Sequence, residues 1–267
     1  MEPNYVAINS AQWDKWVDAK CIWTIPISRE EFHSAKNGKY SMRVTPLKPV
    51  PQNWLGDVKG KKVLALASAG GQQGPILSAL GAEVTVLDNS QKQLDTEQKV
   101  ADREGYSIKI VKGDMTQSFP FDNESFDFII NPVSNDFIKD LSSFWKECYR
   151  VLKKGGSLIA AFVNPDVYMF DVLSPSLQVK YKLPMNPVCD LTTEEYNTIT
   201  SRDGVQFSHT LDEQIGGQLE AGFIITGFYE DKHPLDSQEG YDTYIGAIAL
   251  KLTEYTAIYY VTKCIKL

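Results

Sequence analysis

The chain has 267 residues, 43% of them hydrophobic, enough to bury a full core as one α/β domain with additions. Its 27 Lys and Arg against 34 Asp and Glu leave a net charge of −7, which opposes extended contact with nucleic-acid phosphates and favours a small-molecule partner. No basic, then apolar, then small-residue leader pattern opens the chain, and no apolar run reaches the ~18 residues of a membrane span, so a cytoplasmic protein without a membrane partner is expected.

Residues 1–58 are irregular and aromatic, with Trp13, Trp16, Trp23, Tyr40 and Trp54 and a proline cluster from Pro46 to Pro51, and read as an N-terminal arm or lid. Trp13 and Trp16 fall on one helix face, where they pack on the core or, alternatively, cover a pocket. The remaining residues, 59–267, read as one domain. From residue 62 strand and helix patterns alternate over 62–67, 72–80, 83–87, 90–104, 107–112, 126–130, 137–152 and 157–163, which predicts a parallel sheet with helices on both faces. Ser90 and Gln93 form a capping box at the start of the second helix, and Gly105 closes it. Phe137, Leu141, Phe144, Trp145, Cys148, Val151 and Leu152 recur at helical spacing, and Lys153 to Gly156 supplies basic residues and a stop.

Residues 164–208, rich in Pro, Tyr and Asp, read as an insertion over the edge of the sheet. Thr210 and Glu213 form another capping box and open a helix to about Ala221. Gly216 and Gly217 inside it cost ~1 kcal/mol each relative to alanine, so a close packed neighbour is expected there. A strand over 223–230 and a final strand over 255–266 complete the pattern, with 240–251 open between helix and strand. Cys21, Cys148, Cys189 and Cys264 lack metal-ligand spacing and read as reduced, buried thiols, and no metal site is expected.

The chemistry concentrates after the first strand. Small residues Ala67, Ser68, Ala69, Gly70 and Gly71 let backbone approach a ligand, Pro75 suits a first helical turn, and amides opening the helix at 72–75 favour a carboxylate. Asp88 ends the second strand, where a ribose-binding acid belongs. This turn alone fits a nicotinamide dinucleotide equally well.

The order of further motifs carries a resemblance. The glycine turn, the acid of strand 2, Gly113-Asp114-Met115, Ser125 to Asn131 and Glu147 to Gly156 resemble, over about residues 60–163, the class I S-adenosylmethionine-dependent methyltransferases. The likeness is to the type 11 group, acting mostly on small molecules. Gly70 to Gln73, Phe207 to Thr210 and Gln214 to Gln218 are similar to a largely uncharacterised bacterial branch of it. Two departures stand out. Ala65 replaces the family's usual acid, and Ala67 and Ala69 replace its first two glycines, which alanine can do where the backbone needs no positive φ.

The resemblance implies a Rossmann-like sheet of about seven strands, mostly parallel with an antiparallel last strand, and methyl transfer from S-adenosyl-L-methionine to a small acceptor by in-line displacement. By position, Ala67, Ser68, Ala69, Gly71, Gln72 and Gln73 would cradle the methionine part. Asp88 would hold the ribose, Asn89 and Asp114 the adenine, and Met115 would pack on its ring. Asn131, Pro132 and Val133 would lie near the methyl. His209 is the expected general base, and Asn164, Tyr168, Tyr229 and Trp23 are candidate acceptor-pocket residues. A second reading is an NAD(P)-dependent oxidoreductase, although the chain has no Tyr-x-x-x-Lys pair after strand 4. A third is a methyltransferase-like binding protein without turnover.

Overall fold

The computed structural model describes residues 4–68, 70–174, 176–232 and 247–267. Its parallel strands are β1 (Lys62–Leu66), β2 (Glu83–Asp88), β3 (Lys109–Lys112), β4 (Phe126–Asn131) and β5 (Leu152–Val163). With β6 (Ile224–Asp231) and β7 (Tyr259–Ile265) they form one sheet in the order β3-β2-β1-β4-β5-β7-β6, in which β7 runs antiparallel to both neighbours. The expected architecture is therefore the observed one. No helix among the described residues is long and apolar enough to cross a membrane.

Residue alternation along the central strands divides two cores. Val63 and Ala65 of β1 face one cluster with Val84, Val86, Phe128 and Ile130, while Leu64 and Leu66 face the other with Ile129, Leu158 and Phe144. Helix α6 (Leu141–Val151) covers the second core with Leu141, Phe144, Trp145, Cys148 and Val151, all buried. Each such large side chain contributes about 1.5–3 kcal/mol by leaving water. The expected helix over 137–152 is shorter at its start because Asp140 caps Ser142 and Ser143, leaving Asn135–Phe137 as a separate 3₁₀ turn. At its end no loop intervenes. β5 begins directly at Leu152, and Gly155 at φ 74° lies where the β4/β5 register shifts. Gly217 proves to be a packing glycine, since a Cβ there would meet Trp145 Cδ1 at 2.8 Å. Of the four free thiols, Cys189 departs from expectation and is exposed.

The turn between β1 and α4 (Gln73–Ala79) is held by α5 (Gln91–Glu104). Ser90 caps α5 through the Gln93 amide, but the reciprocal half of the expected capping box is absent. Gln93 Oε1 instead accepts the Gly70 N–H at 2.9 Å, and one turn later Glu97 Oε2 accepts the Gly71 N–H at 2.6 Å. The glycines permit that approach. A Cβ on Gly70 would meet the Gln93 carbonyl at 2.5 Å, and one on Gly74 would meet Glu97 Oε1 at 2.5 Å. Glu97 has no solvent exposure, and desolvation pushes its carboxyl up to about 7.

The arm contributes α1 (Tyr5–Asp18), α2 (Arg29–Lys36) and the short α3 (Gln52–Leu55). Helix α1 spans the carboxyl edge of the sheet. On one side Ser10 donates to the Asn89 carbonyl and the Asn89 amide donates to that of Val6. On the other, Asn9 exchanges two hydrogen bonds with Val205, at 3.0 and 2.7 Å, and Gln12 donates to Arg202. Residues 202–205 span the end of α7 (Thr193–Asp203) and the two residues after it, within the expected insertion. Within 240–251 the described part is helical, in Ala247–Leu252.

Two outcomes test the loop. Ala67 adopts φ 41°, a left-handed conformation that costs an L-residue roughly 1–2 kcal/mol and glycine little. Ala67→Gly should therefore raise the stability measured by chemical denaturation by up to about 1 kcal/mol, after the glycine's extra unfolded-state entropy is subtracted. Glu97 stays protonated in the fold to a higher pH than in the unfolded chain, so its contribution is complete below about pH 4.5 and is lost as pH rises through about 7. Denaturation midpoints measured from pH 5 to 8 should fall, and Glu97→Gln, which keeps an oxygen for Gly71, should flatten the decline by up to about 3 kcal/mol.

Candidate functional site

Strand order reverses between β1 and β4, since β1 leads on to β2 on one side while β4 leads to β5 on the other. Ligands of open α/β sheets bind at the carboxyl ends of strands flanking such a reversal. A crevice of about 640 Å³ lies at this edge between α1, which supplies Tyr5, Ser10 and Asp14, and the ends of β2 and β3, which supply Asn89, Lys112 and Asp114.

The expected residues at this edge are held in defined states. Asp88 Oδ1 accepts the Ser90 N–H at 2.8 Å, and desolvation, opposed by the Ser90 and Asn89 amides, pushes its carboxyl up to about 6. Asp114 accepts the Thr116 N–H at 2.8 Å and lines the crevice. Ser68 is fully buried and its hydroxyl has no partner. Gln73 donates to the Arg43 carbonyl at 2.8 Å while its Oε1 is buried without a donor. Asn131, also fully buried, donates to Ser134 Oγ at 2.8 Å and leaves Oδ1 unpartnered. Pro132 follows it, and Val133 joins the arm through the Val44 carbonyl at 3.2 Å. Three unpartnered buried polar atoms, Ser68 Oγ, Gln73 Oε1 and Asn131 Oδ1, thus sit on the segments that leave β1 and β4. Leaving such atoms desolvated costs about 1–3 kcal/mol each, which a polar ligand would recover.

Other expected residues have different partners. The Gly71 amide is taken by Glu97, and a Cβ there would meet Pro26 and Val100 at 2.7 Å, so this glycine serves packing. Gln72 donates to the carbonyls of Trp23 and Ile25, which leaves its amide group anchoring the arm. The Gly70 and Gly71 amides are therefore occupied by α5, one residue short of the amides at 72–75 that open α4. Met115 packs beside the second core, and Trp23 is half-buried on the arm. Ala69 lies outside the described residues.

On the acceptor side, Asn164 is fully committed. Its amide reaches Thr256 and the Ala257 carbonyl, and its oxygen caps Asp166. Tyr229 lies on β6 under the Lys48 ammonium and borders a second cavity of about 780 Å³ with Leu47 and Asp231. His209 is 5% exposed and its Nε2 lies 2.7 Å from the Ile138 carbonyl, so that nitrogen must carry the proton and donate. Desolvation lowers its pKa against the raising effect of the Ile138 carbonyl, so His209 pins the segment between β4 and α6 through Nε2 and leaves only Nδ1 for the expected general-base role.

That segment contains a group the sequence reading passed over. Asp136 is 7% exposed, its Oδ2 accepts the Tyr168 hydroxyl at 3.3 Å, and desolvation pushes its carboxyl up to about 6. The available signal was the sequence Asn131-Pro132-Val133-Ser134-Asn135-Asp136, in which a carboxylate falls within a turn of the strand end. Only the packing of residues 164–208 against it reveals that the carboxylate is buried.

The methyltransferase-domain family matches residues 64–160, from β1 to β5. The chain is 45% identical to the uncharacterized methyltransferase YbaJ of Bacillus subtilis, over 92% of this chain and 98% of that protein. It is 29% identical over 48% of its length to a ubiquinone biosynthesis O-methyltransferase of Pseudomonas savastanoi, covering 57% of that protein. The fold is similar to that of an S-adenosylmethionine-dependent methyltransferase from Mesorhizobium loti, with a TM-score of 0.60 at 16% identity over 80% of this chain and 95% of that one. The sheet order and a near full-length relative agree, and the chain belongs to the class I S-adenosylmethionine-dependent methyltransferases.

Proposed function

We propose that the crevice beneath α1 holds S-adenosyl-L-methionine and that the protein methylates a small molecule entering from the Asp136 side. The observation that carries this reading is the set of buried, unpartnered atoms Ser68 Oγ, Gln73 Oε1 and Asn131 Oδ1 beside the strand reversal. Gln73 and Asn131 offer acceptors to the cofactor's amino-acid end, and neutral oxygens there do the work of the acid that Ala65 lacks. Asp88 accepts from the ribose hydroxyls, and Asn89 and Asp114 lie beside the adenine. Pro132 and Val133 wall the space near the methyl group.

When bound, the cofactor supplies a methyl already activated by its sulfonium charge. The chain's own residues then have to orient and to exclude water. Helix α1 closes the nucleoside side through Asn89 and the acceptor side through Val205, so residues 1–58 act as an arm and lid, and residues 164–208 act as the insertion that walls the acceptor pocket. Holding the acceptor nucleophile in line with the S–CH₃ bond lowers the barrier by up to ~7–11 kcal/mol without any covalent intermediate. With its excess of acidic groups the surface suits a small acceptor and not a nucleic acid.

Titration calorimetry tests the assignment. S-adenosylmethionine should bind, and NADH should not; the reverse result overturns the reading. Asp88→Ala should weaken the cofactor by roughly 1.5–3 kcal/mol, the value of hydrogen bonds to a charged group. Unchanged affinity would remove Asp88 from the ribose site.

A further inference from the structure

The turn that follows β4 is short of donors. Asn131 Oδ1, Asn135 Oδ1 and Asp136 Oδ1 are all buried without a partner among the described residues. The nitrogens of the same amides each donate, that of Asn131 to Ser134 and that of Asn135 to Gln214. What the turn leaves open is therefore acceptor oxygen, and one of the three belongs to a carboxylate. Asp136 keeps one oxygen on the Tyr168 hydroxyl and leaves the other free, and the neighbouring Tyr259 is near enough for its ionisation to feel the Asp136 charge. No cationic side chain among the described residues pairs with Asp136. A buried carboxylate without a cation is expensive, and a ligand that brings both positive charge and N–H donors removes that expense. A neutral hydroxyl would satisfy the oxygen but not the charge, and an anionic acceptor would be repelled.

We propose that the methyl acceptor is a small primary or secondary amine, bound as its ammonium ion by Asp136 Oδ1 beside Tyr168 and Tyr259, and that Asp136 takes the proton that frees the nitrogen lone pair. The proposal rests on the methyl-transfer reading above and deepens it. The carboxylate gains one N–H proton and becomes a neutral acid, while the ammonium becomes an amine. The nitrogen lone pair then forms the N–C bond to the methyl as the S–C bond breaks with its pair returning to sulfur. Positive charge passes from sulfur to nitrogen, and the proton on Asp136 returns to solvent. Burial raises the proton affinity of Asp136 above that of an ordinary aspartate, which suits it to this transfer.

The test uses the full chain saturated with S-adenosylhomocysteine and a set of small amines paired with their matched alcohols, beginning with 2-phenylethylamine and 2-phenylethanol. For at least one pair the amine should bind at least about tenfold more tightly, a preference of the size one compensated charge provides. Asp136→Asn should abolish the preference while holding S-adenosylhomocysteine affinity within about twofold, and Tyr168→Phe should reduce it less. Equal binding within every pair, no amine binding throughout the set, or a preference that survives Asp136→Asn overturns the proposal and leaves the cofactor site standing. Failure of the unaltered protein to bind S-adenosylhomocysteine sinks both. If Asp136→Asn does not fold, the Tyr168→Phe comparison and the pairwise preference of the unaltered protein still decide the matter.

Discussion

The chain leaving β1 must pass within touching distance of α5, and the rest of the site depends on that contact. Two side chains one helical turn apart, Gln93 and Glu97, take the amides of Gly70 and Gly71, and the glycines lack the Cβ atoms that would forbid it. The turn is thereby fixed from behind. Beside this turn, Ser68 Oγ and Gln73 Oε1 are buried without a partner among the described residues. Ala67 completes the bend in a conformation that an alanine adopts only under strain, which places local cost beside the crevice, where a fixed backbone is needed.

Three carboxyls are withdrawn from water near the carboxyl edge of the sheet. Asp88, Glu97 and Asp136 are each pushed up by desolvation, to about 6, 7 and 6. They differ in their partners. Glu97 meets a backbone amide and Tyr106; Asp88 meets the Ser90 amide at the end of β2; Asp136 meets the Tyr168 hydroxyl and has one oxygen without a partner among the described residues. The same physical shift therefore falls on three carboxyls that differ in which hydrogen bonds remain unmade.

The fold was legible in the sequence because its signals are local. Alternation along β1 and β4, the helical spacing of Leu141 to Val151 and the glycine after α5 each act within one element, and each has its expected effect. Of the candidate site, the sequence could place only residues at or just beyond strand ends, as with Ser68, Asp88, Asp114 and Asn131. Where long-range packing chose the partner, sequence reasoning failed in a consistent way. Gln93 had a local partner in Ser90 and took a distant one in Gly70. His209 had the right pKa for a base and was pinned by a carbonyl that precedes it by many residues. Asp136 drew no attention because an aspartate in a turn is ordinarily solvated, and the residues that bury it come later in the chain.

Helix α1 carries a consequence for the order in which the molecule assembles. Its reciprocal bonds with Val205 join residues 196 positions apart, and its bond to Arg202 joins residues 190 apart. Such contacts yield nothing until the intervening chain is already ordered, because closing so long a loop carries its entropic cost before any bond repays it. The sheet and α5 can form without α1, whereas α1 has no complete docking surface without them. An element near the start of the chain is thus among the last to settle, and the crevice it roofs is finished only when the folding of the whole molecule is.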